Sequence, residues 1–527
     1  MTRMRRSLYS LAAMYLNTGI ALVSGLIATP LLLGYLGEER LGLTRTATEW
    51  LSYTLLLGYG LDGTLNVRYS KAFSDGDRST AVAALRAGIR AYLGVALISL
   101  VWVTILFVFT PSVFNLKPGD DAMTFELRVA LAVAGGGIFC MVLGAFKPLA
   151  EAEQRGYICH LANALGTLVA LSAMVFFAWC GFGLPGQMAG MTMSPIVSGL
   201  ILTVDGIRRY PEILVRGGPR LSGIYSINAS MLALQFCGRV SFLSDCILIS
   251  LVLGNGPVPA FSITQRLLML LQGVVNGIGN STWAALADLH HRGEAEAFSR
   301  RLRQLTRITT LLASATFVPA AVWNGPFIRA WTGAPGLYAG EALSFLTAIS
   351  FIFICITALW GWPIITIGFV RQTLPYFALG AAVNVITAVY VTHNYGVIGP
   401  PIGVLANLLL VTGWGHLRIL RHKFRTPTKP LLLAAFAPIA LAVPYGLLLR
   451  FASTLFDVDT FAETTVNQLS NALNLGPTQV YRVFRMSIVA ALIGVAAIGY
   501  FGIAFATIVS ASDRQEILAR FRRKKAA

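Results

Sequence analysis

The chain has 527 residues, of which 56% are apolar and only 12% are charged, and its mean hydropathy is +0.69. Soluble globular chains carry about 25% charged residues, and disordered chains contain few apolar ones, so this composition excludes both classes. The apolar stretches are about 20 residues or longer, whereas the strands of a membrane barrel would be about 10 residues long and alternating. The sequence therefore predicts an all-α polytopic membrane protein.

The apolar stretches predict about fourteen transmembrane helices in chain order. The first six lie near 8–35, 43–67, 91–114, 129–149, 159–181 and 188–207. The next six lie near 223–253, 260–287, 308–331, 342–367, 374–392 and 397–416. A last pair lies near 431–453 and 486–510.

Basic residues are distributed unevenly between the two sides of this predicted topology. Thirty-one of the 41 Lys and Arg fall on the side of the amino terminus and eight on the other, counting Arg45 with the outer side because it lies near the outer end of its span, and Arg239 and Arg266 lie deeper inside spans. The positive-inside rule then predicts that both termini are cytoplasmic, including a basic tail at 514–525. Topology also explains the net charge of +18, so we do not expect nucleic acid as a partner.

The chain contains an internal repeat. An offset of 217 residues aligns Gly37 with Gly254 and Gly76 with Gly293, with no gap across about fifty residues. We interpret this as two parallel six-helix halves followed by a terminal helix pair, an architecture typical of transporters that hold substrate between their halves. The N-terminal lobe, the C-terminal lobe and the terminal pair with its tail are predicted at 1–207, 208–420 and 421–527.

Signatures of soluble enzymes are absent or misplaced. The residues Gly58–Gly63 match G-x-G-x-x-G, but they lie within a predicted span with no preceding strand, so they do not predict a dinucleotide site. His290 and His291 lie in a basic loop, and we predict neither a metal site nor a cofactor. The six cysteines fall within or beside apolar stretches and are interpreted as packing residues.

Ionisable residues within the predicted spans are the best candidates for a functional site. These residues are Arg45, Glu49, Asp62, Arg239, Asp245 and Arg266. Each would cost about 2.5–3.5 kcal/mol at the bilayer centre, so they must face one another or water. Two interpretations stay open. The charges either form ion pairs that hold helices together, or they line a water-filled central cavity in which arginine binds phosphate oxygens.

Two segments carry a resemblance to a known family. The segment 266–294, RLLMLLQGVVNGIGNSTWAALADLHHRGE, resembles the eighth span and following loop of the multidrug/oligosaccharidyl-lipid/polysaccharide (MOP) flippase superfamily. The stretch 325–333, GPFIRAWTG, resembles the Trp-x-Gly exit from the ninth span of that family. Within the superfamily the chain is most similar to Wzx-type polysaccharide flippases. The resemblance implies a MATE-like arrangement of two six-helix halves around a central cavity.

The resemblance implies a flippase of the bacterial inner membrane. It would move a polyprenyl-pyrophosphate-linked oligosaccharide from the cytoplasmic to the outer leaflet by alternating access. Its expected partners are this substrate, the bilayer and polysaccharide polymerase or assembly proteins. The residues expected in the substrate-binding cavity are Arg45, Glu49, Arg239, Asp245 and Arg266. The carboxylates that could couple transport to H⁺ or Na⁺ are Glu49, Asp62 and Asp245.

Two other functions stay open. A drug or cation exporter of the same superfamily would have an acidic, aromatic cavity, which the arginines within the spans disfavour. A polytopic glycosyltransferase or polysaccharide polymerase is the enzyme alternative, because Asp457 and Asp459 form a D-x-D pair that could hold a metal in the longest outer loop. The internal repeat has no role in such an enzyme, so we expect a transporter.

Overall fold

The computed structural model describes residues 3–214, 229–455 and 477–508, and the regular secondary structure within these ranges is helical throughout. The prediction of an all-α membrane protein is therefore confirmed. Contacts divide the chain into two compact units, Met1–Pro259 and Ala260–Ala527. The basic tail and the D-x-D pair lie outside the described residues.

The first unit contains helices α1 to α10. They are α1 Arg3–Ser52, α2 Leu56–Ser74, α3 Arg78–Val108, α4 Thr110–Val113, α5 Asp121–Ile138, α6 Phe146–Ala152, α7 Gly156–Trp179, α8 Gly183–Arg209, α9 Ala229–Phe242 and α10 Asp245–Leu253. A 3₁₀ segment, Tyr53–Leu55, joins α1 to α2, and another, Phe139–Ala145, joins α5 to α6.

The second unit contains helices α11 to α19, the first of which begins at the boundary. They are α11 Val258–His291, α12 Ala295–Val322, α13 Asn324–Thr332, α14 Glu341–Thr366, α15 Val370–Tyr395, α16 Gly399–Asn407, α17 Gly413–Lys423, α18 Thr428–Leu455 and α19 Pro477–Thr507. A π-helical turn, Leu408–Thr412, joins α16 to α17.

The number of membrane crossings follows from helix length. Among the described residues, eleven helical runs are long and apolar enough to cross a membrane, and the bent pair of α9 and α10 would be a twelfth. Two runs, Tyr9–Leu55 with 47 residues and Val370–Lys423 with 54, exceed the about 20 residues of one crossing. Each contains a glycine with positive φ, Gly37 at 77° and Gly396 at 76°. Counting each long run as two crossings gives fourteen, the predicted number.

The backbone conformation repeats with the same offset as the sequence. Gly37 has φ 77° and ψ 174°, and its equivalent, Gly254, has φ 85° and ψ 179°. Gly76 and Gly293 form a second matched pair, with φ 69° and 75°. After these glycines, α3 and α12 begin 217 residues apart. The predicted lobe boundaries at 207/208 and 420/421 stay predictions, and α9 and α10 belong to the first compact unit.

Small residues allow helices of the first unit to approach closely. A Cβ atom at Gly190 on α8 would lie 2.5 Å from Cγ of Met174 on α7, and one at Gly166 would lie 2.6 Å from the Ser194 carbonyl oxygen. Such contacts replace the hydrophobic effect as the source of packing energy within a membrane. In the same unit α1 contacts α10 and α2 contacts α9. These contacts bring the charged face of α1 to the bend between α9 and α10.

Candidate functional site

A membrane span of the first unit is interrupted at Leu243 and Ser244. The helices on either side, α9 and α10, meet at an angle of 54°. An interruption of this kind leaves the carbonyl groups at the end of α9 and the N–H groups at the start of α10 without partners inside the helix. Backbone groups cannot stay unsatisfied in hydrocarbon, so other side chains must reach them.

Glu49 on α1 reaches the start of α10. Its Oε2 atom accepts a hydrogen bond of 3.1 Å from the N–H group of Ile247. The same carboxylate interacts with the backbone N–H and the thiol of Cys246. A carboxylate is stabilised at a helix amino terminus, where N–H groups and the helix dipole both favour negative charge. Glu49 therefore caps the second half of the interrupted span.

Tyr53, four residues after Glu49, reaches the interruption itself. Its hydroxyl oxygen lies 2.6 Å from Oγ of Ser244, and the Ser244 hydroxyl lies 3.2 Å from the carbonyl oxygen of Arg239, to which it donates. This chain of hydrogen bonds ties the end of α9 to the 3₁₀ segment after α1. The interruption is therefore built from side chains of two different spans.

Four of the five predicted cavity residues lie together at this interruption. Arg45 interacts electrostatically with Glu49, and Glu49 with Asp245, while the charge of Arg239 acts on the Tyr53 hydroxyl. All four charged side chains are partly buried. We call Arg45, Glu49, Arg239 and Asp245 the charged cluster, and its two cations and two carboxylates balance formally.

An apolar cavity of about 660 Å³ adjoins the charged cluster. It lies within the first unit, between the segment 53–56 that joins α1 to α2, the middle of α3, and α9. Tyr53, Trp102 and Phe236 line it, and the ring of Tyr53 lies 6.3 Å from Trp102 and 6.0 Å from Phe236. The Trp102 indole N–H donates to the Trp50 carbonyl at 3.1 Å, which fixes α3 against α1. Sequence analysis did not predict this aromatic cavity, because its residues come from three separate helices.

The two remaining predicted site residues, Arg266 and Asp62, belong to other helices. Arg266 belongs to α11 in the second unit and is partly buried there. Asp62 on α2 accepts a hydrogen bond from Tyr92, and its Oδ2 lies 3.9 Å from Nζ of Lys147, which in turn lies 4.0 Å from Glu151. The roles of both residues in binding or coupling stay predictions.

A further ionic network lies between α6, α7 and α8, and sequence analysis missed it. Arg155, 6% exposed, donates two hydrogen bonds to Asp205, at 2.6 and 2.8 Å, and lies 3.4 Å from Glu153. Tyr210 donates to Glu153 at 2.6 Å. Burial lowers the pKa of Arg155, but the bonds and charge of Asp205 outweigh it and raise the pKa overall. This network fixes a turn of the first unit and is too well paired to serve as a binding site.

Other motifs from the sequence have simple structural roles. Gly58–Gly63 lies within helix α2 and not in a turn between a strand and a helix, so it does not form a dinucleotide site. His290 packs against Phe424, with ring centroids 4.6 Å apart. In the part of the chain that the structure describes, no group of three or more His, Cys, Asp or Glu side chains is arranged to hold a metal.

Comparisons with known proteins identify the fold. Neither a protein-family model nor a curated protein matches the sequence. Among solved structures, lipid II flippase MurJ in its inward closed conformation aligns with a TM-score of 0.64 and 12% identity, covering 95% of this chain and 100% of that one. An inward-facing multidrug resistance MATE transporter of the MOP superfamily gives 0.54 and 17% identity, over 80% of this chain and 98% of that one.

A third solved structure is notable for the polarity of its binding pocket. This MOP superfamily transporter from Pyrococcus furiosus is described as having reversed pocket polarity, which suggests a different function; its TM-score is 0.57 with 15% identity, over 81% and 98% of the two chains. These similarities show that the chain has the fold of the MOP flippase superfamily, which confirms the resemblance at the level of the fold. The assignment to the Wzx-type group stays a prediction.

Proposed function

We propose that the protein is a flippase for an amphiphile with a pyrophosphate head group, and specifically for a polyprenyl-pyrophosphate-linked oligosaccharide. The observation that carries the proposal is the interrupted span, where Tyr53 lines an apolar cavity and its hydroxyl lies beside Ser244 and feels the charge of Arg239. An amphiphile in transit needs a polar site for its head and an apolar surface for its tail. We further propose a bacterial inner-membrane location with cytoplasmic termini, and assembly proteins as partners.

The charged cluster suggests how the head group binds. Arginine offers a planar fork of N–H donors that fits phosphate oxygens, and Arg239 and Arg45 would provide two such forks. Glu49 and Asp245 balance these cations when no substrate is bound. An arriving pyrophosphate would therefore repel the carboxylates unless they take up protons or a cation. This balance supports coupling of transport to H⁺ or Na⁺.

The cap on α10 suggests how binding is linked to movement. The carboxylate of Glu49, on α1, accepts a hydrogen bond from the N–H group of Ile247, on α10. This bond therefore ties α10 to a different span. Neutralising the carboxylate would weaken its charge-assisted bond to the helix end, because such bonds are roughly twice as strong as neutral ones. Substrate and proton would then act on one hinge, the junction of α9 and α10.

A second candidate function has one observation in its favour. The aromatic rings of Trp50, Tyr53 and Trp102 lie within 6.3 Å of one another and near the Glu49 carboxylate, an arrangement that could attract an organic cation through cation–π interactions. This environment suits a drug exporter. Arg45 and Arg239 oppose that function because they would repel a cation at the same place.

The proposal is tested in proteoliposomes with a fluorescent polyprenyl-pyrophosphate-linked sugar whose exposure to an external quencher reports transport between leaflets. Arg239→Gln preserves hydrogen bonding but removes the charge, so transport should fall by on the order of tenfold or more. Arg239→Lys should restore part of it, since the charge returns without the fork. Arg90→Gln, at an exposed position on α3, is the matched control and should transport normally.

Each alternative gives a different result. If Arg239→Gln transports fully at normal abundance, Arg239 does not bind the head group. If the wild-type protein moves tetraphenylphosphonium but not the sugar lipid, the exporter function is correct. If it instead releases sugar in the presence of a divalent metal, the protein is an enzyme.

A further inference from the structure

The apolar cavity between the segment 53–56, α3 and α9 has no role in binding a charged head group. Its volume, about 660 Å³, lies within the range of about 300–1,000 Å³ that is typical of ligand sites. Ile98, Val101 and Ile105 supply its α3 wall, and Leu232, Ala233 and Phe236 its α9 wall. Several of these side chains, including Val101 at 61% and Phe236 at 52%, are exposed. The cavity is therefore an open apolar groove on the first unit.

We propose that this groove is a second binding subsite, which holds the first isoprene units of the substrate's lipid chain while its pyrophosphate occupies the charged cluster. This inference rests on the proposed function and adds a location for the tail. The evidence for continuity between the two subsites is Tyr53. Its ring lines the groove, and its hydroxyl lies 2.6 Å from Ser244 at the interruption. The two subsites therefore meet at one side chain.

The occupant must be a chain that is tethered to a bound head group. Within a bilayer the hydrophobic effect gives no advantage to a chain in the groove, because surrounding lipid tails are equally apolar. An ordinary acyl chain therefore has little reason to stay. A chain whose own head is already bound nearby has a high effective concentration at the groove, so it outcompetes bulk lipid without any stronger contact. The groove therefore selects the substrate tail over other lipid chains because the substrate's head group is bound at the charged cluster, and not because the groove is apolar.

The groove and the charged cluster share one helix, α9. Phe236 and Arg239 lie three residues apart on α9, so a change in the angle between α9 and α10 would move a groove wall and a head-group ligand together. Tail and head would then leave their subsites in one movement. This coupling would prevent release of the head while the tail stays fixed.

The test uses a geranylgeranyl-pyrophosphate-linked sugar that carries a photoactivatable diazirine in its first isoprene unit. In wild-type protein in nanodiscs, we expect crosslinks on 98–105 and 232–236. Ala233→Phe fills the groove and should reduce this labelling by about threefold to tenfold, a modest change because bulk lipid is an equally apolar alternative. Ala132→Phe adds the same volume at an exposed position on α5 and is the matched control.

The results separate the groove from the proposed function. If Ala233→Phe leaves labelling and transport unchanged while Arg239→Gln abolishes transport, the groove inference is wrong and the flippase function stands. If a diazirine-bearing phosphatidylglycerol labels the same peptides as strongly as the sugar lipid, the groove holds bulk lipid and the inference is also wrong. If the wild-type protein transports no sugar lipid, the proposed function itself fails.

Discussion

The first span and the seventh span are equivalent under the internal repeat, yet only the seventh is interrupted. Helix α1 continues through Ile27 and Ala28, whereas the chain breaks at the equivalent Ser244 and begins a new helix at Asp245. Both segments then end at a glycine in the same unusual conformation, Gly37 and Gly254. The two copies therefore share their backbone design at the end of the span and differ in its middle.

This difference shows where the duplicated framework acquired a polar site. Arg239 of the second copy corresponds to Leu22 of the first, and Asp245 corresponds to Ala28. An uninterrupted apolar helix needs no partners, whereas an interrupted one needs side chains such as Glu49 to satisfy its exposed backbone. The departures from the repeat, and not the repeat itself, therefore locate the candidate site.

The largest effect is expected when the second copy is given the residues of the first. Ser244→Ile combined with Asp245→Ala should favour a continuous helix across the break. Transport of the sugar lipid should then fall by on the order of a hundredfold, as expected when binding groups are misplaced. Membrane abundance should fall somewhat, because loss of Asp245 leaves the two cations of the charged cluster with a single carboxylate, so transport is compared per molecule of protein. Transport in proteoliposomes and immunoblots measure the two quantities.

The reciprocal change in the first copy is the control. Ile27→Ser with Ala28→Asp introduces a carboxylate into a continuous helix, at a cost of about 2.5–3.5 kcal/mol near the bilayer centre. Abundance should fall, and the protein that remains should transport normally. Equal loss of transport per molecule in both double variants would mean that the break has no special role.

The two equivalent glycines allow a test of the shared design. Gly37 and Gly254, with φ near 80° and ψ near 180°, occupy a region that is open almost only to glycine. Gly37→Ala and Gly254→Ala should each destabilise the protein by about 1–3 kcal/mol, as measured by thermal unfolding in detergent. Gly136→Ala is the control, because Gly136 is an exposed helical residue of α5 with open space around it. Unequal effects at Gly37 and Gly254 would contradict the similarity of the two turns.

A smaller effect is expected from the residue that caps the interrupted span. Glu49→Gln leaves an amide oxygen to accept the Ile247 N–H but removes one negative charge from the balanced cluster. An anionic head group should then bind more tightly, by roughly tenfold or less, since one repulsive charge is gone. Coupling to H⁺ should weaken at the same time. Binding of geranylgeranyl pyrophosphate at several pH values measures both changes, and tighter binding that keeps its full pH dependence would exclude Glu49 as the coupling group.

Much of the fold could be predicted from the sequence, because its causes are local. Apolar length fixes each span, and the offset that pairs Gly37 with Gly254 also pairs their conformations. The expectation that the six charges within the spans face one another or water followed from the energy of charges in lipid, and the structure brings four of the six together. In contrast, the aromatic cavity depends on which helices become neighbours. No periodicity along a single helix contains that information.

The role of Cys246 shows the same limit. Its apolar neighbours indicated a packing residue, and it is buried, but its backbone and thiol interact with Glu49, almost two hundred positions earlier in the chain. The break at Ser244 was also missed, since neither proline nor glycine marks it. Its partners come from a distant span, since Glu49 accepts from the Ile247 N–H and the Tyr53 hydroxyl bonds to the Ser244 hydroxyl.

The smallest effect concerns how equivalent helices begin in the two copies. Asp77 caps α3 by accepting hydrogen bonds from the Thr80 hydroxyl, the Thr80 N–H at 3.1 Å and the Ser79 hydroxyl at 2.8 Å. Its equivalent before α12, Glu294, makes no side-chain cap hydrogen bond. Asp77→Ala should therefore lower the thermal stability slightly, whereas Glu294→Ala should leave it unchanged.

The pH dependence identifies the cap as the cause of that difference. The bonds from Thr80 and then Ser79 lower the pKa of Asp77 to about 2, below its ordinary value of about 4. A carboxylate with a lowered pKa contributes its full stabilisation above the ordinary value, and loses that contribution as the pH falls through the lowered one. The gap in unfolding temperature between wild type and Asp77→Ala should thus be constant from pH 7 to about pH 4 and shrink towards pH 2. A gap that persisted unchanged at pH 2 would show that the charge of Asp77 has no part in capping α3.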